Sequence, residues 1–147
     1  MKVYVTVRHN FNAGHRLAVP SRSDQENLDL YGKCSLPSGH GHNYVVEVTL
    51  EGEVDPGVGA FVNAEELRRW LWDEVLEPID HRNLNRDVRI LEGLVPTSEN
   101  LARAIFRALE RGPYGRWLYQ VKLHESENNV AICRNRPGDG EADRPLV

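Results

Sequence analysis

A His-Gly-His triplet is the feature of this sequence with the clearest capacity for chemistry. His40 and His42 flank Gly41, and residues 44–50 that follow read as a β-strand. Alternate residues of a strand project from the same face, about 6.5 Å apart, so the two imidazoles can meet one cation. Gly41 leaves the opposite face bare, which allows another backbone or a ligand to approach closely.

A third imidazole completes a metal-binding pattern. His15 lies at the end of the first strand-like segment, and His9 competes for the role from the apolar register of the same segment. We favour His15, because packing within a regular strand is enough to explain His9. Three neutral imidazoles with a fourth position open to water or substrate are typical of catalytic Zn²⁺.

Two other interpretations of the histidine pair stay open. The pair is also compatible with exposed histidines on a polar strand face, and with half of a cupin-like motif. A cupin would use a carboxylate near Glu47, which has the opposite strand parity to His42 and so weakens that interpretation.

A cysteine in a loop precedes the histidine pair. Cys34 lies six residues before His40, among Gly, Ser and Pro residues. A nearby cation favours the thiolate, which can attack carbon or accept a proton, so Cys34 is the candidate for a reactive thiol. Cys133 ends an apolar, strand-like run, and we interpret it as a small packing residue.

Two further groups offer acid-base or binding chemistry. Asp80 and His81 are adjacent, and a carboxylate beside an imidazole makes an acid-base candidate, although such a dipeptide is usually only a loop feature. Glu125 follows a strand-like run. A carboxylate at a strand end can accept two parallel hydrogen bonds from an amidine-like ring edge, although a lone Glu is mostly just hydrated.

Hydrophobic periodicity predicts the elements that carry these residues. Alternation predicts four strands, at residues 2–11, 40–51, 117–124 and 130–134. Amphipathic spacing predicts two helices, one capped by Asn63 and ended by Pro78, and one that opens at residues 96–100 and ends at Gly112. The order ββααββ predicts an α+β fold, in which a four-stranded antiparallel sheet carries both helices on one face. The open edges of such a sheet favour oligomerisation into a closed ring of subunits.

Two segments lack periodicity. Residues 18–39 read as a long loop, and loops of that length usually have a functional use, here to lead into Cys34 and the histidines. The segment from Asn135 onward is rich in Pro, Gly and charge, and we expect a frayed tail. The 147 residues are otherwise expected to form one domain, residues 1–147.

Composition and charge exclude several classes of function. The net charge of −4 and the lack of a Lys/Arg run argue against nucleic-acid binding. No apolar run approaches the roughly 20 residues that cross a bilayer, and no signal-peptide core follows Met1, so we expect a cytoplasmic protein with no membrane partner.

Six blocks of this sequence together resemble the 6-pyruvoyl-tetrahydropterin synthase family, which includes the related 6-carboxy-tetrahydropterin synthases. They occur in the family order at residues 12–17, 34–44, 59–63, 80–85, 97–100 and 125–129. The block Cys-x5-His-Gly-His-Asn-Tyr is the most specific of them. The resemblance spans roughly residues 5 to 134 and implies the tunnelling (T-)fold, in which subunits join their sheets into β-barrels, commonly as a hexamer of two trimers.

The resemblance also implies roles for individual residues. The implied zinc ligands are His15, His40 and His42. The implied catalytic residues are Cys34 as general base, with Asp80 and His81 as a proton relay that a neighbouring subunit can supply. The implied substrate-binding residues are Glu125, on the aminopyrimidine edge of the pterin, and Thr97 or Ser98.

The implied reaction converts 7,8-dihydroneopterin triphosphate into 6-pyruvoyl-tetrahydropterin with elimination of triphosphate and no redox cofactor. Zinc would act as a Lewis acid on the side-chain oxygens of this pterin triphosphate, Cys34 would remove a proton and His81 would return one. Relatives that make 6-carboxy-tetrahydropterin for queuosine, with release of acetaldehyde, have a shorter Cys-x3-His spacing and usually Asp in place of Asn63. A non-catalytic pterin- or purine-binding regulator is a further alternative. Ala60 in place of the usual Met, and residues 18–33, depart from the family pattern.

Overall fold

A five-stranded sheet is the frame of the molecule. The computed structural model describes residues 1–135, so the frayed tail predicted from Asn135 lies outside the described residues except for Asn135 itself. The strands are β1 (Lys2–His15), β2 (His40–Glu53), β3 (Arg82–Asn83), β4 (Leu118–Ser126) and β5 (Asn129–Arg134). Their order across the sheet is β3-β1-β2-β4-β5, with every pairing antiparallel except that of β3 with β1.

The two longest strands form an unbroken ladder. β1 and β2 pair from Lys2↔Glu53 to His15↔His40, so both strands run further than the alternation predicted. One face of this ladder is buried, with Val7 and Phe11 on β1 and Tyr44 on β2 each 1% exposed. Because side chains alternate along a strand, the histidines at the end of the ladder continue this buried face.

Three helices accompany the sheet: α1 (Asp24–Tyr31), α2 (Ala64–Leu71) and α3 (Ser98–Glu110). Asn63 caps α2 by accepting hydrogen bonds from the backbone N–H groups of Glu65 and Glu66, and a wider helical turn extends it to Leu76. Thr97 caps α3. α2 packs on β1 and α3 on β4 and β5, and their apolar faces share one core cluster with the strands. The predicted α+β fold class is thus confirmed.

The expectation of a long loop at residues 18–39 is wrong for its middle part. Residues 24–31 form α1, and a 3-10 turn follows at Gly32–Ser35. A capping box starts the helix, since the Ser23 hydroxyl accepts from the Glu26 N–H and the Glu26 carboxylate accepts from the Ser23 N–H. Only Asn27 of α1 is buried. The helix therefore lacks the apolar stripe on which the prediction of helices depended.

The sheet also has a fifth strand that the sequence did not predict. β3 pairs in parallel with Ala13 and Gly14. With only two residues, this strand is too short to show a pattern of alternation. Within residues 1–135, β1 has no other strand pairing on the side of β3. Most of the outer edge of β1 is therefore open within these residues. No helix within the same residues is long and apolar enough to cross a membrane.

Candidate metal and active site

Three histidines converge where β1 ends and β2 begins. His15, His40 and His42 each offer a ring nitrogen, and these atoms all lie within 4.8 Å of one another. The ring centroids are 4.7 Å apart for His15 and His40, 5.1 Å for His15 and His42, and 4.8 Å for His40 and His42. The predicted convergence of the three rings on one side of the sheet is confirmed.

The surroundings of His15 prepare it as a ligand. His15 is 1% exposed, and burial lowers its pKa because the charged imidazolium is poorly solvated there. Its Nδ1–H donates to the carbonyl oxygen of Pro96 at 2.8 Å, which leaves the lone pair of Nε2 directed at the cluster. A second hydrogen bond of this kind commonly fixes the tautomer of a metal-binding histidine.

The donor set fits a divalent metal ion. Burial also lowers the pKa of His42, so this imidazole is neutral at pH 7. The buried Nε2 of His42 has no hydrogen-bond partner, and the Nε2 atoms of His15 and His40 face each other at 3.1 Å. Imidazole nitrogens grouped in this way suit Zn²⁺ better than the oxygen-seeking Mg²⁺ or Ca²⁺.

A carboxylate is held beside the triad by two side chains. Glu125 Oε2 accepts a 2.7 Å hydrogen bond from the buried Ser98 hydroxyl, and Oε1 accepts one of 3.0 Å from Asn129 Nδ2. Oε1 also lies 3.8 Å from His42 Nε2. An ionised carboxylate has about four lone-pair sites, so two remain for a ligand. Thr97, the neighbour of Ser98, uses its hydroxyl oxygen to accept from the Asn100 N–H at 3.2 Å.

Cys34 is fixed near the chain that leaves the triad. Its carbonyl accepts a 2.8 Å hydrogen bond from the Leu17 N–H, two residues after His15. Arg16 reinforces this contact, since its Nε donates to the carbonyl of Ser35 at 2.6 Å. The backbone of the half-buried Cys34 is therefore tied to the segment that follows the first histidine.

The Asp80–His81 pair is held against β1 rather than against the triad. Asp80 Oδ1 accepts from the Asn12 N–H at 2.8 Å, and the His81 N–H donates to the Asn12 carbonyl at 2.6 Å. These bonds hold His81 at φ 57°, a left-handed conformation that is unusual outside glycine and often found at functional sites.

The two side chains of the pair bond to each other. His81 Nδ1 donates to Asp80 Oδ2 at 2.8 Å, while the imidazole remains 74% exposed. Burial works to raise the pKa of Asp80, but the hydrogen bonds from Asn12 and His81 outweigh it and keep that pKa below its ordinary value. Asp80 is thus an anion at neutral pH that orients the ring.

His81 borders an open cavity of about 370 Å³ together with His42. Asn12 and Asn43, which also line it, are exposed and alternate with the buried Ala13 and Tyr44. Ala13 and His42, on the other face, line it as well, so the cavity takes residues from both faces of the sheet. Glu47 lies on the face opposite to that of His42 and accepts a 2.6 Å bond from His124, which argues against the cupin-like interpretation.

Three residues that the sequence analysis did not assign support the site. Pro96 orients His15 and Asn129 orients Glu125. Tyr44, 1% exposed, packs its ring 5.6 Å from that of His42. Tyr44 and Asn129 both lie within the six blocks that resemble the family, so the sequence pointed to them. The role of Pro96 depends on its backbone carbonyl, which no sequence motif indicates.

Comparison with known proteins identifies the family. The family profile of 6-pyruvoyl tetrahydropterin synthase matches residues 4–136. The chain belongs to this family. It is 43% identical over 131 residues to the 6-pyruvoyl tetrahydrobiopterin synthase of Homo sapiens, covering 88% of this chain and 90% of that protein. The structure of Caenorhabditis elegans 6-pyruvoyl tetrahydropterin synthase matches with a TM-score of 0.87 at 37% identity, covering 92% of this chain and 97% of that one.

The chain is also similar to a protein with a different printed activity. The dihydroneopterin monophosphate aldolase of Pyrococcus furiosus is 32% identical over 103 residues, covering 69% of this chain and 70% of that protein. The predicted family and fold are therefore confirmed, and among these relatives the greater identity and coverage belong to the pyruvoyl synthases.

Proposed function

We propose that this chain is a zinc-dependent lyase that converts 7,8-dihydroneopterin triphosphate into 6-pyruvoyl-tetrahydropterin, a step of tetrahydrobiopterin biosynthesis. The observation that carries the proposal is a cluster of three histidine nitrogens within 4.8 Å, beside an anchored carboxylate, in a chain of this family. A metal and a pterin-binding carboxylate are the two parts that the reaction requires.

His15, His40 and His42 would hold the zinc. The bound ion would supply Lewis-acid polarisation of the substrate's side-chain oxygens. The hydrogen bond to Pro96 keeps the first of these rings in the tautomer that binds through Nε2. Burial keeps His15 and His42 unprotonated, so at neutral pH a metal does not have to compete with a proton.

Glu125 would bind the aminopyrimidine edge of the pterin. Both of its oxygens are already fixed, one by Ser98 and one by Asn129, so the carboxylate is oriented before the substrate arrives. An ordered acceptor pair matches the two parallel N–H groups of that ring edge. Thr97 stays a predicted substrate contact, since its hydroxyl proton is not used in capping α3.

Proton transfer is assigned to Cys34 and to the Asp80–His81 pair. Cys34 would accept the proton from carbon as a thiolate, which requires the reducing conditions that the cytoplasm maintains. His81 would return a proton elsewhere on the substrate. Its Nδ1–H is bonded to the ionised Asp80, so Nε2 is the atom that exchanges the proton.

We further propose that this pair serves the site of a neighbouring subunit in a hexamer of two trimers. His81 is 74% exposed beside the outer edge of β1, while the triad continues the buried face. The outer edge of β1, open within the described residues, offers backbone groups that a second chain can pair with.

Mixing two inactive variants tests the shared site. Cys34→Ala and His81→Ala chains, unfolded together and reassembled in equal amounts, should recover about a quarter of the wild-type activity, because random assembly pairs the two intact residues in about one site of four. Separately assembled variants mixed without exchange are the control. If reassembled mixtures stay inactive while wild-type chains treated alike recover, the relay acts within its own subunit.

Product analysis tests the reaction itself. Purified protein with zinc and dihydroneopterin triphosphate should release triphosphate and form the pyruvoyl product without acetaldehyde. Acetaldehyde would move the chain to the 6-carboxy-tetrahydropterin branch of queuosine biosynthesis, and tight pterin binding without turnover would make it a regulator. The spacing of Cys34 and His40, and Asn63 in place of Asp, favour the pyruvoyl branch.

A further inference from the structure

The open cavity beside His81 is lined mainly by hydrogen-bond donors. Its volume of about 370 Å³ is within the range of small-molecule sites. Its polar lining side chains are those of Asn12, His42, Asn43, His81 and Arg82, and no carboxylate of the described residues joins them. The chain as a whole carries a net charge of −4, so this acid-free lining is a local exception to the overall charge. The ligand that such a lining suits is an anion.

Arg82 supplies the positive charge of the cavity. It lies on β3 opposite Ala13, and its side chain is exposed. Within residues 1–135 its guanidinium makes no hydrogen bond or ion pair, which leaves all five N–H donors for a ligand. A guanidinium binds two oxygens of one phosphate group at once, as a planar fork. The side chain of Arg82 is therefore suited to a phosphate.

Two carboxamides extend the row of donors across the sheet. Asn12 pairs with Asn43, and neither carboxamide has a hydrogen-bond partner in the part of the chain that the structure describes. Asn43, Asn12 and Arg82 belong to the adjacent strands β2, β1 and β3, so the donors are spread over about 10 Å. A single phosphate cannot span that distance. The row matches a chain of several phosphates.

A bare stretch of backbone gives such a chain room. Gly14 pairs with Gly41, two residues along from the pair of asparagines and on the same face of the sheet. Both glycines line the cavity. Because neither has a side chain, a ligand can lie directly on the strands there.

The cavity also borders the groups to which the reaction is assigned. His42 belongs to the histidine triad, and His81 is the proposed proton donor. The substrate that His81 serves has its side chain at this ring, and that side chain carries the triphosphate. Its phosphates therefore lie within reach of the cavity, whether the ring acts in its own subunit or in the neighbouring one.

We propose that Arg82, Asn12 and Asn43 bind the triphosphate group of the substrate. This inference rests on the proposed lyase function, since it names the residues that hold one part of that substrate. Arg82 offsets part of the negative charge that the acidic chain would otherwise repel, and the two carboxamides donate to the oxygens further along the phosphate chain.

Binding of inorganic triphosphate to the zinc-loaded protein tests the proposal without turnover. Titration calorimetry should give a dissociation constant about tenfold larger for Arg82→Gln than for the wild type, the effect of losing one charged partner of the anion. Asn43→Asp keeps the size of the side chain but adds a carboxylate to the cavity. It should weaken binding by at least as much, because like charges repel, and it provides a second test if Arg82→Gln folds poorly.

Arg86→Gln is the matched control. Arg86 is also an exposed arginine, but it lies outside the cavity lining, so its replacement should leave the dissociation constant of triphosphate unchanged. Equal dissociation constants in the wild type and Arg82→Gln would overturn the proposal. An equal loss in Arg86→Gln would overturn it as well, because the effect would then come from overall charge.

Steady-state kinetics connect this binding to the substrate. KM for dihydroneopterin triphosphate should rise about tenfold in Arg82→Gln, while the inhibition constant of dihydroneopterin, the same pterin without phosphates, should stay at the wild-type value. Weaker triphosphate binding with an unchanged KM would assign the cavity to another anion and refute the proposal. Failure of the lyase assignment alone would give a different result, namely no turnover with Arg82-dependent binding of inorganic triphosphate retained.

Discussion

Replacing the Ser98 hydroxyl and replacing the Thr97 hydroxyl, both at the start of α3, should produce different effects. The Ser98 hydroxyl donates to Glu125 at 2.7 Å, whereas the Thr97 hydroxyl accepts from the helix backbone. If Glu125 anchors the pterin, Ser98→Ala should weaken substrate binding and Thr97→Ala should mainly destabilise the fold. The two neighbouring substitutions therefore serve as controls for each other.

The size of each effect follows from the contacts. A hydrogen bond to a charged group is worth about 1.5–3 kcal/mol, but Asn129 still holds the other carboxylate oxygen of Glu125 in the Ser98→Ala variant. We therefore expect a loss of about 1.4 kcal/mol in substrate binding, which is a tenfold rise in KM. Loss of the Thr97 cap should cost about 1 kcal/mol of folding free energy and lower Tm by about 2–4 °C.

Steady-state assays of triphosphate release, together with thermal unfolding, measure both quantities. Because the anchor binds substrate and transition state alike, kcat of Ser98→Ala should stay near the wild-type value while KM rises. Glu125→Gln should show the same pattern with a larger KM. A wild-type KM in Ser98→Ala would refute the assignment of Glu125 as an anchor that Ser98 positions.

Three further outcomes are expected. His42→Ala should lose the metal found by elemental analysis, whereas His9→Ala should keep it, because His9 is engaged with a backbone carbonyl of α2; loss in both would contradict the assigned ligand set. Gly52→Ala should cost about 1–3 kcal/mol of stability, since a Cβ there would overlap the ring of Phe61, and an unchanged Tm would show that this ring moves freely. The hydrogen bond from His124 lowers the pKa of Glu47. This contact therefore stabilises the fold above the ordinary pKa of a glutamate, and the stabilisation is lost as the pH falls through the pKa of Glu47 in the folded protein. Glu47→Gln should flatten the acid side of the stability curve measured by urea unfolding, and an unaltered curve would exclude that contribution.

The parts of the structure that depend on local pattern were predictable from the sequence. Alternation in β1 and β2 located the strands and placed His40 on the same side as His42, because side chains two residues apart on a strand share a face. The cap signal at Asn63 and the opening segment of residues 96–100 located the starts of α2 and α3. These features are set by neighbours within a few residues, so one sequence contains them.

The rest depends on contacts between distant residues. The conformation of His81 is imposed by two hydrogen bonds to Asn12, almost seventy positions earlier in the chain, and no local motif signals it. The short strand β3 likewise depends on its pairing with residues far earlier in the chain, at the end of β1. α1 is a different case, since Ser23 and Glu26 show a recognisable capping box, but a helix without an apolar stripe is missed when periodicity is the criterion.

The stretch from Pro96 to Ser98 has a consequence for how the site keeps its dimensions. Its first residue steadies a histidine through a carbonyl, and its last steadies the carboxylate of Glu125 through a hydroxyl. Three consecutive residues thus fix the distance between the histidine triad and Glu125, the proposed metal site and the proposed pterin anchor. An insertion or deletion among them would change that distance even with all three histidines and Glu125 in place.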